Sequence, residues 1–198
     1  MAVRLDIRPL IAADSLDELT ALLHAAYATL AQQGWNFTAA DQSVEVTRQR
    51  LTDAQCYVAV SGGHFIGTVA VRGPKSADDS YLSDVSSRLY TTPGTALVSQ
   101  FAVHPSWRGQ GLGERLMDAA EAWAMSHRFC RVALDTAAPA AALRERYRRR
   151  GYTEVGEVQW TGKTYRSVLM LKLLDTLTAP EVAKPYTSCA PISISTTG

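Results

Sequence analysis

A mixed α/β domain, with a single layer of sheet and helices on both of its faces, is predicted by three observations along the chain. Apolar residues alternate with charged ones at the start, where Val3, Leu5 and Ile7 are interleaved with Arg4, Asp6 and Arg8, the pattern of a half-buried strand. Segments of helical period follow in two places. Short β-branched and aromatic runs separated by Gly-containing turns recur in two others, as hairpins do.

Taken in order, the first strand closes at Pro9. Ser15 and Glu18 have the spacing of a capping box, and Leu16, Leu19, Leu23, Ala26 and Leu30 then recur with a helical period until Gly34. Thr38 and Asp41 open a shorter helix that runs to about Leu51. Cys56 to Val60 and Phe65 to Val71 flank Ser61-Gly62-Gly63-His64, which reads as a hairpin. Gly73 to Thr95 is a long loop with one helical turn at Leu82 to Leu89, and a loop of that length inside a domain is often functional. Ala96 to Val103 is a buried strand interrupted at Ser99-Gln100. A helix after Gly109 carries Leu112, Leu116, Ala120, Trp123 and Ala124 on one face. Arg131 to Leu134 is a further strand, Pro139 suits the start of the last helix and Gly151 its C-terminal cap. Tyr152 to Trp160 and Tyr165 to Leu174 form a second hairpin around Thr161-Gly162-Lys163. The order is β-α-α-β-β-β-α-β-α-β-β. Residues 1–175 read as one domain. Residues 176–198, rich in Thr, Ser, Pro and Ala without period, read as a tail on the surface or disordered.

The composition excludes several functional classes. With 198 residues, 46% apolar and 20% charged, the chain is an ordinary globular domain of +1 net charge. That charge gives no bulk attraction to nucleic acid or to an anionic membrane. No apolar run reaches the roughly 20 residues of a membrane span, and the N-terminus lacks the apolar block of a secretory signal. Cys56, Cys130 and Cys189 show neither metal-ligand spacing nor a disulfide framework, so a reducing cytoplasm and no bound metal are expected.

The chemistry is carried by the stretch from Gln100 to Glu114. A strand runs into a Gly-rich loop that opens directly onto an amphipathic helix. Gly109, Gly111 and Gly113 allow close approach of backbone to a ligand, the helix N-terminus offers unpaired N–H groups, and Arg108 adds a full positive charge. Together these make a pyrophosphate cradle. The chain has no Gly-Lys-Ser/Thr of a P-loop, and Glu114 stands where a dinucleotide fingerprint needs its third glycine. A lone Gly-x-Gly more often marks a tight turn that binds nothing; the agreement of strand, Arg, glycines and helix favours the cradle here.

At these residues the chain resembles the GNAT superfamily of acetyltransferases. The pattern Arg/Gln-x-x-Gly-x-Gly/Ala is met by Arg108, Gly111 and Gly113, after the strand ending Val103-His104-Pro105. A second signature, an aromatic followed by three residues and Gly-aromatic, is met by Tyr147, Gly151 and Tyr152. The resemblance spans residue 3 to about 174. It implies the GNAT fold, a mixed central sheet of about seven strands splayed between the fourth and fifth. It also implies acetyl-coenzyme A as co-substrate. The pantetheine arm would bond to backbone groups of Phe101, Ala102 and Val103, and the pyrophosphate would lie on Arg108, Gly109, Gln110, Gly111, Leu112, Gly113 and Glu114.

The reaction so implied is direct attack of a primary amine on the thioester in a ternary complex, with Tyr147 as general acid for the leaving thiolate. The acceptor would be a small-molecule or peptide amine, and homodimers occur in the family. Two positions depart from its pattern: Ala96-Leu97-Val98 holds no carboxylate where many relatives carry a Glu base, and Ala140 stands where an Asn is usual. An alternative of another class follows, a non-catalytic regulatory domain that senses acyl-coenzyme A. Simple packing is the competing role for Tyr147. A solvated face is the simpler reading of Arg144, Arg146, Arg148, Arg149 and Arg150.

Overall fold

The structure is a computed structural model that describes residues 5–75 and 88–174. Two compact units divide the chain. One comprises Met1–Arg72, Val98–Trp123 and Gly162–Thr164, the other Gly73–Leu97, Ala124–Thr161 and Tyr165–Gly198.

In the first unit, β1 (Asp6–Pro9) lies antiparallel to β2 (Ala54–Ser61), which pairs with β3 (His64–Arg72) through the expected hairpin. Gly62 and Gly63 both take positive φ, 58° and 85°, the backbone that a two-residue turn between twisted strands requires. Helix α1 (Leu16–Gln32) starts at Ser15, whose hydroxyl accepts from the Glu18 N–H as the capping spacing predicts. Glu18 does not return the bond. Its carboxylate accepts instead from the Phe65 N–H at 2.9 Å and faces His64 Nδ1 at 3.3 Å, tying α1 to the start of β3.

The second helix starts later than expected. Thr38–Ala40 forms a 3₁₀ turn, and α2 (Val44–Arg50) begins after Ser43, whose side chain accepts from the Val46 N–H. Leu19 and Leu22 of α1 pack with Cys56, Val58 and Phe65. Ala59 is paired with Gly67, where a Cβ would come within 2.8 Å of Leu116 in α4 (Leu112–Ser126). Neighbouring residues of a strand point to opposite faces, so α1 and α4 cover opposite sides of this part of the sheet.

In the second unit, the start of β4 (Thr95–Val103) runs parallel to β5 (Arg131–Ala137), with register from Thr95↔Arg131 to Leu97↔Ala133. Strand β5 extends beyond the expected Leu134 and pairs antiparallel with β7 (Ser167–Leu173) along its whole length; β7 in turn pairs with β6 (Thr153–Val158). Seven strands thus form one sheet in the order β1-β2-β3-β4-β5-β7-β6, the mixed α/β arrangement expected from the sequence. The short helix α3 (Arg88–Thr91) contributes Leu89 and Tyr90 to a core with Leu97, Ala133, Val158 and Leu169. Most of the expected turn at Leu82 to Leu89, and the tail 176–198, lie outside the described residues.

Helix α5 (Ala141–Arg149) begins at Ala140, which caps nothing with its side chain. An Asn there would supply the oxygen that first-turn N–H groups lack. The basic face of α5 is largely neutralised. Arg144 is bidentate with Glu154 at 2.8 and 2.9 Å, Arg148 reaches Glu145 and Glu154, and Arg149 reaches Glu145. Cys56 is a buried free thiol that burial pushes up to about 11.

Candidate functional site

The end of β4 and the loop that follows it lie in the first unit. β4 is not a regular strand: Gln100 has φ 49°, which breaks the alternation of side chains where the sequence showed an interruption. Its side chain is buried, and neither Oε1 nor Nε2 has a partner among the described residues. A buried amide left unpaired costs about 1–3 kcal/mol per group. Beyond it, the Phe101 carbonyl accepts from the Tyr27 hydroxyl at 3.0 Å, and Tyr27 stacks obliquely on Phe37 at 5.2 Å. Ala102 is buried against Leu23, Ala26 and Ala39. Of the three positions expected to offer backbone to a pantetheine arm, Phe101 therefore already has its carbonyl engaged by a side chain from α1.

Past Val103, His104 donates its backbone N–H to the Ile66 carbonyl at 2.9 Å, while its ring Nδ1 accepts from the Ser106 N–H. That bond caps a 3₁₀ turn, Pro105–Trp107. Arg108 follows with an extended backbone. Its guanidinium donates to the Ala26 carbonyl at 2.6 Å, so the charge expected at a phosphate also fastens the loop to α1.

Gly109 and Gly111 then take φ of 77° and 75°. A Cβ built on either would have nothing within 4 Å, so both glycines border open space. Gly113 differs: it is buried and helical, in the first turn of α4. The first i→i−4 bond at this end of α4 runs from the Arg115 N–H to the Gly111 carbonyl at 3.2 Å. The N–H groups of Leu112, Gly113 and Glu114 precede that bond, at the positive end of the helix dipole. Exposed glycine backbone in front of such donors suits a pyrophosphate, and coenzyme A carries one.

Tyr147 lies in the second unit and is 5% exposed. Its spacing to Gly151 and Tyr152 has a local physical cause. Gly151, at φ 90°, donates to the Arg148 carbonyl at 2.9 Å, and the Tyr152 N–H reaches back to the Tyr147 carbonyl at 3.0 Å. These two bonds are a Schellman stop, and the rings of Tyr147 and Tyr152 make the contact that accompanies it, at 5.8 Å edge-on.

Two groupings escaped the sequence reading. Asn36, in the α1–α2 link, donates to the Gly162 carbonyl and accepts from the Thr164 N–H, both at 2.8 Å, and Lys163 Nζ donates to the Asn36 carbonyl and to Thr38 Oγ1. In the second unit, Tyr90 and Trp160 both donate to Asp135. Among the described residues no group of His, Cys, Asp and Glu could hold a metal ion, and no helix is long and apolar enough to cross a membrane.

Solved structures resemble this fold. A protein of Pyrococcus horikoshii aligns with a TM-score of 0.66 and 16% identity over 87% of this chain and 99% of its own. A GNAT family acetyltransferase from Elizabethkingia anophelis with acetyl-CoA bound gives 0.59 and 17%, over 86% and 98%. A ribosomal-protein-alanine N-acetyltransferase from Brucella melitensis gives 0.62 and 24%, over 85% and 99%. No curated protein sequence matches. The sequence itself matches the family model for acetyltransferases of the GNAT family over residues 17–152, and the chain belongs to that family.

Proposed function

We propose that this protein transfers an acetyl group from acetyl-coenzyme A to a primary amine. The observation that carries the reading is the loop Gly109-Gln110-Gly111, whose glycines border open space at the N-terminus of α4 in a chain of the GNAT family. In this reading the loop and the first N–H groups of α4, from Arg108 to Glu114, take the pyrophosphate, and backbone groups of Phe101, Ala102 and Val103 take the pantetheine arm. The amine nitrogen bonds to the thioester carbonyl carbon and the carbon–sulfur bond breaks. The thiolate takes its proton from the Tyr147 phenol, the new amide loses one to water, and the phenolate regains one from solvent. Because Ala96-Leu97-Val98 holds no carboxylate, an amine already largely neutral at working pH suits the site better than one of pKa ~10.4.

The packing of Tyr147 on Tyr152 supports a second reading, in which the domain binds acyl-coenzyme A and signals to a partner without turnover. One experiment separates the two. Acetyl-coenzyme A at one hundred times its dissociation constant raises stability by about 2.7 kcal/mol. Thiol release is then followed across a panel of amines. No melting shift at millimolar cofactor defeats both readings, and a shift without thiol release selects the second.

A further inference from the structure

Asp135 stands on β5 with its carboxylate held from two sides. The Tyr90 hydroxyl donates to Oδ1 at 2.8 Å, and the Trp160 indole Nε1 donates to Oδ2 at 3.1 Å. The two aromatic rings brace each other edge-on at 5.8 Å. Tyr90 is buried and Asp135 is exposed. Burial, reinforced by the charge on Asp135, pushes the Tyr90 phenol well up, so it remains a neutral donor. Both donors are neutral, so neither forms an ion pair with the carboxylate.

Asp135 differs in this from the carboxylates of Asp14, Glu45, Glu145, Glu154 and Glu157, each of which faces an arginine. Among the described residues no cation pairs with Asp135. A carboxylate has about four lone-pair sites, and the two donors use only one on each oxygen. A guanidinium fork binds both oxygens at once and would compete with the two donors for them. A compact ammonium needs only one remaining site and a charge to neutralise.

We infer that Asp135, fixed by Tyr90 and Trp160, is a docking site for a primary ammonium group. The docking rests on the Asp135 carboxylate and on no step of the proposed acetyl transfer.

The test uses the whole protein and reads the Trp160 indole N–H by NMR, assigned by its disappearance in Trp160→Phe. n-Butylammonium, putrescine and trialanine are titrated with and without coenzyme A, and butane-1,4-diol serves as the uncharged control. At least one ammonium probe is expected to shift the Trp160 resonance saturably, and the diol is not. Asp135→Asn is expected to weaken that binding at least tenfold. Should Asp135→Asn fail to fold, Asp135→Ser also removes the charge and is expected to weaken binding to the same extent. No saturable shift by any ammonium probe in either titration overturns the inference, as does equal affinity in a folded Asp135→Asn protein. These readings need no acyl transfer. Failed cofactor binding defeats the proposed function and leaves this result standing.

Discussion

Replacing Gly111 by Ala separates a ligand cradle from a mere turn. Gly111 has φ 75°, and its missing Cβ would meet no atom within 4 Å. In the free protein the substitution therefore adds backbone strain without a clash, about 1–2 kcal/mol for an L residue held in the left-handed region. For a domain of this size that corresponds to a fall in Tm of about 2–8 °C. Gly63 is the matched control: its φ is 85°, its Cβ position is equally open, and it sits at the β2–β3 turn. Both Ala variants should lose similar stability when unliganded. With saturating acetyl-coenzyme A the unsubstituted protein gains about 2.7 kcal/mol, a rise of about 5–11 °C. Gly63→Ala should keep that rise, Gly111→Ala should lose most of it, and Gly111→Val should abolish it. Scanning fluorimetry and calorimetric titration read both quantities. An equal ligand-induced rise in Gly63→Ala and Gly111→Ala refutes the cradle.

Two further predictions concern other parts of the chain. Tyr147→Phe keeps the ring packed on Tyr152 and removes only the hydroxyl, so the melting shift with cofactor should persist while kcat for thiol release falls by roughly 10²–10⁴; an unchanged kcat leaves Tyr147 a packing residue. Asp14 accepts a bidentate bond from Arg8 at 2.7 and 2.8 Å, which holds its carboxyl below the usual carboxylate range. Its folded-state pKa is thus lower than its unfolded one, so its stabilisation is present above the ordinary carboxylate pKa of ~3.9 and is lost as pH falls through the folded value. The Tm gap between the unsubstituted protein and Asp14→Asn should be full at pH 7 and close in acid. A gap that is constant with pH contradicts that assignment.

Local patterns exposed most of the fold. The β2–β3 hairpin, the Ser15 cap and the Gly151 stop each depend on residues a few positions apart, and a single sequence displays such spacings directly. The glycine loop was legible for the same reason. What stayed hidden depends on long-range contacts. Glu18 has ideal capping spacing, yet its carboxylate goes to Phe65, because a backbone N–H brought in by folding outcompetes the local one. Arg108 reaches back to Ala26, and Asp135 draws donors from Tyr90 and Trp160. No periodicity encodes such partners. The left-handed turn at Gln100 showed in the sequence only as an interruption, since nothing local marks which residue takes the positive φ.

The Schellman stop after α5 also bears on how related chains are read. The pattern Tyr-x-x-x-Gly-Tyr here describes how a helix ends and how two rings cover that end. A chain that had lost turnover would still need the same residues to finish the helix and enter β6. The pattern would therefore persist in a pseudoenzyme, and its presence in a sequence marks the architecture and not the activity. Assignments of catalysis within the family are better anchored to measured thiol release than to that signature.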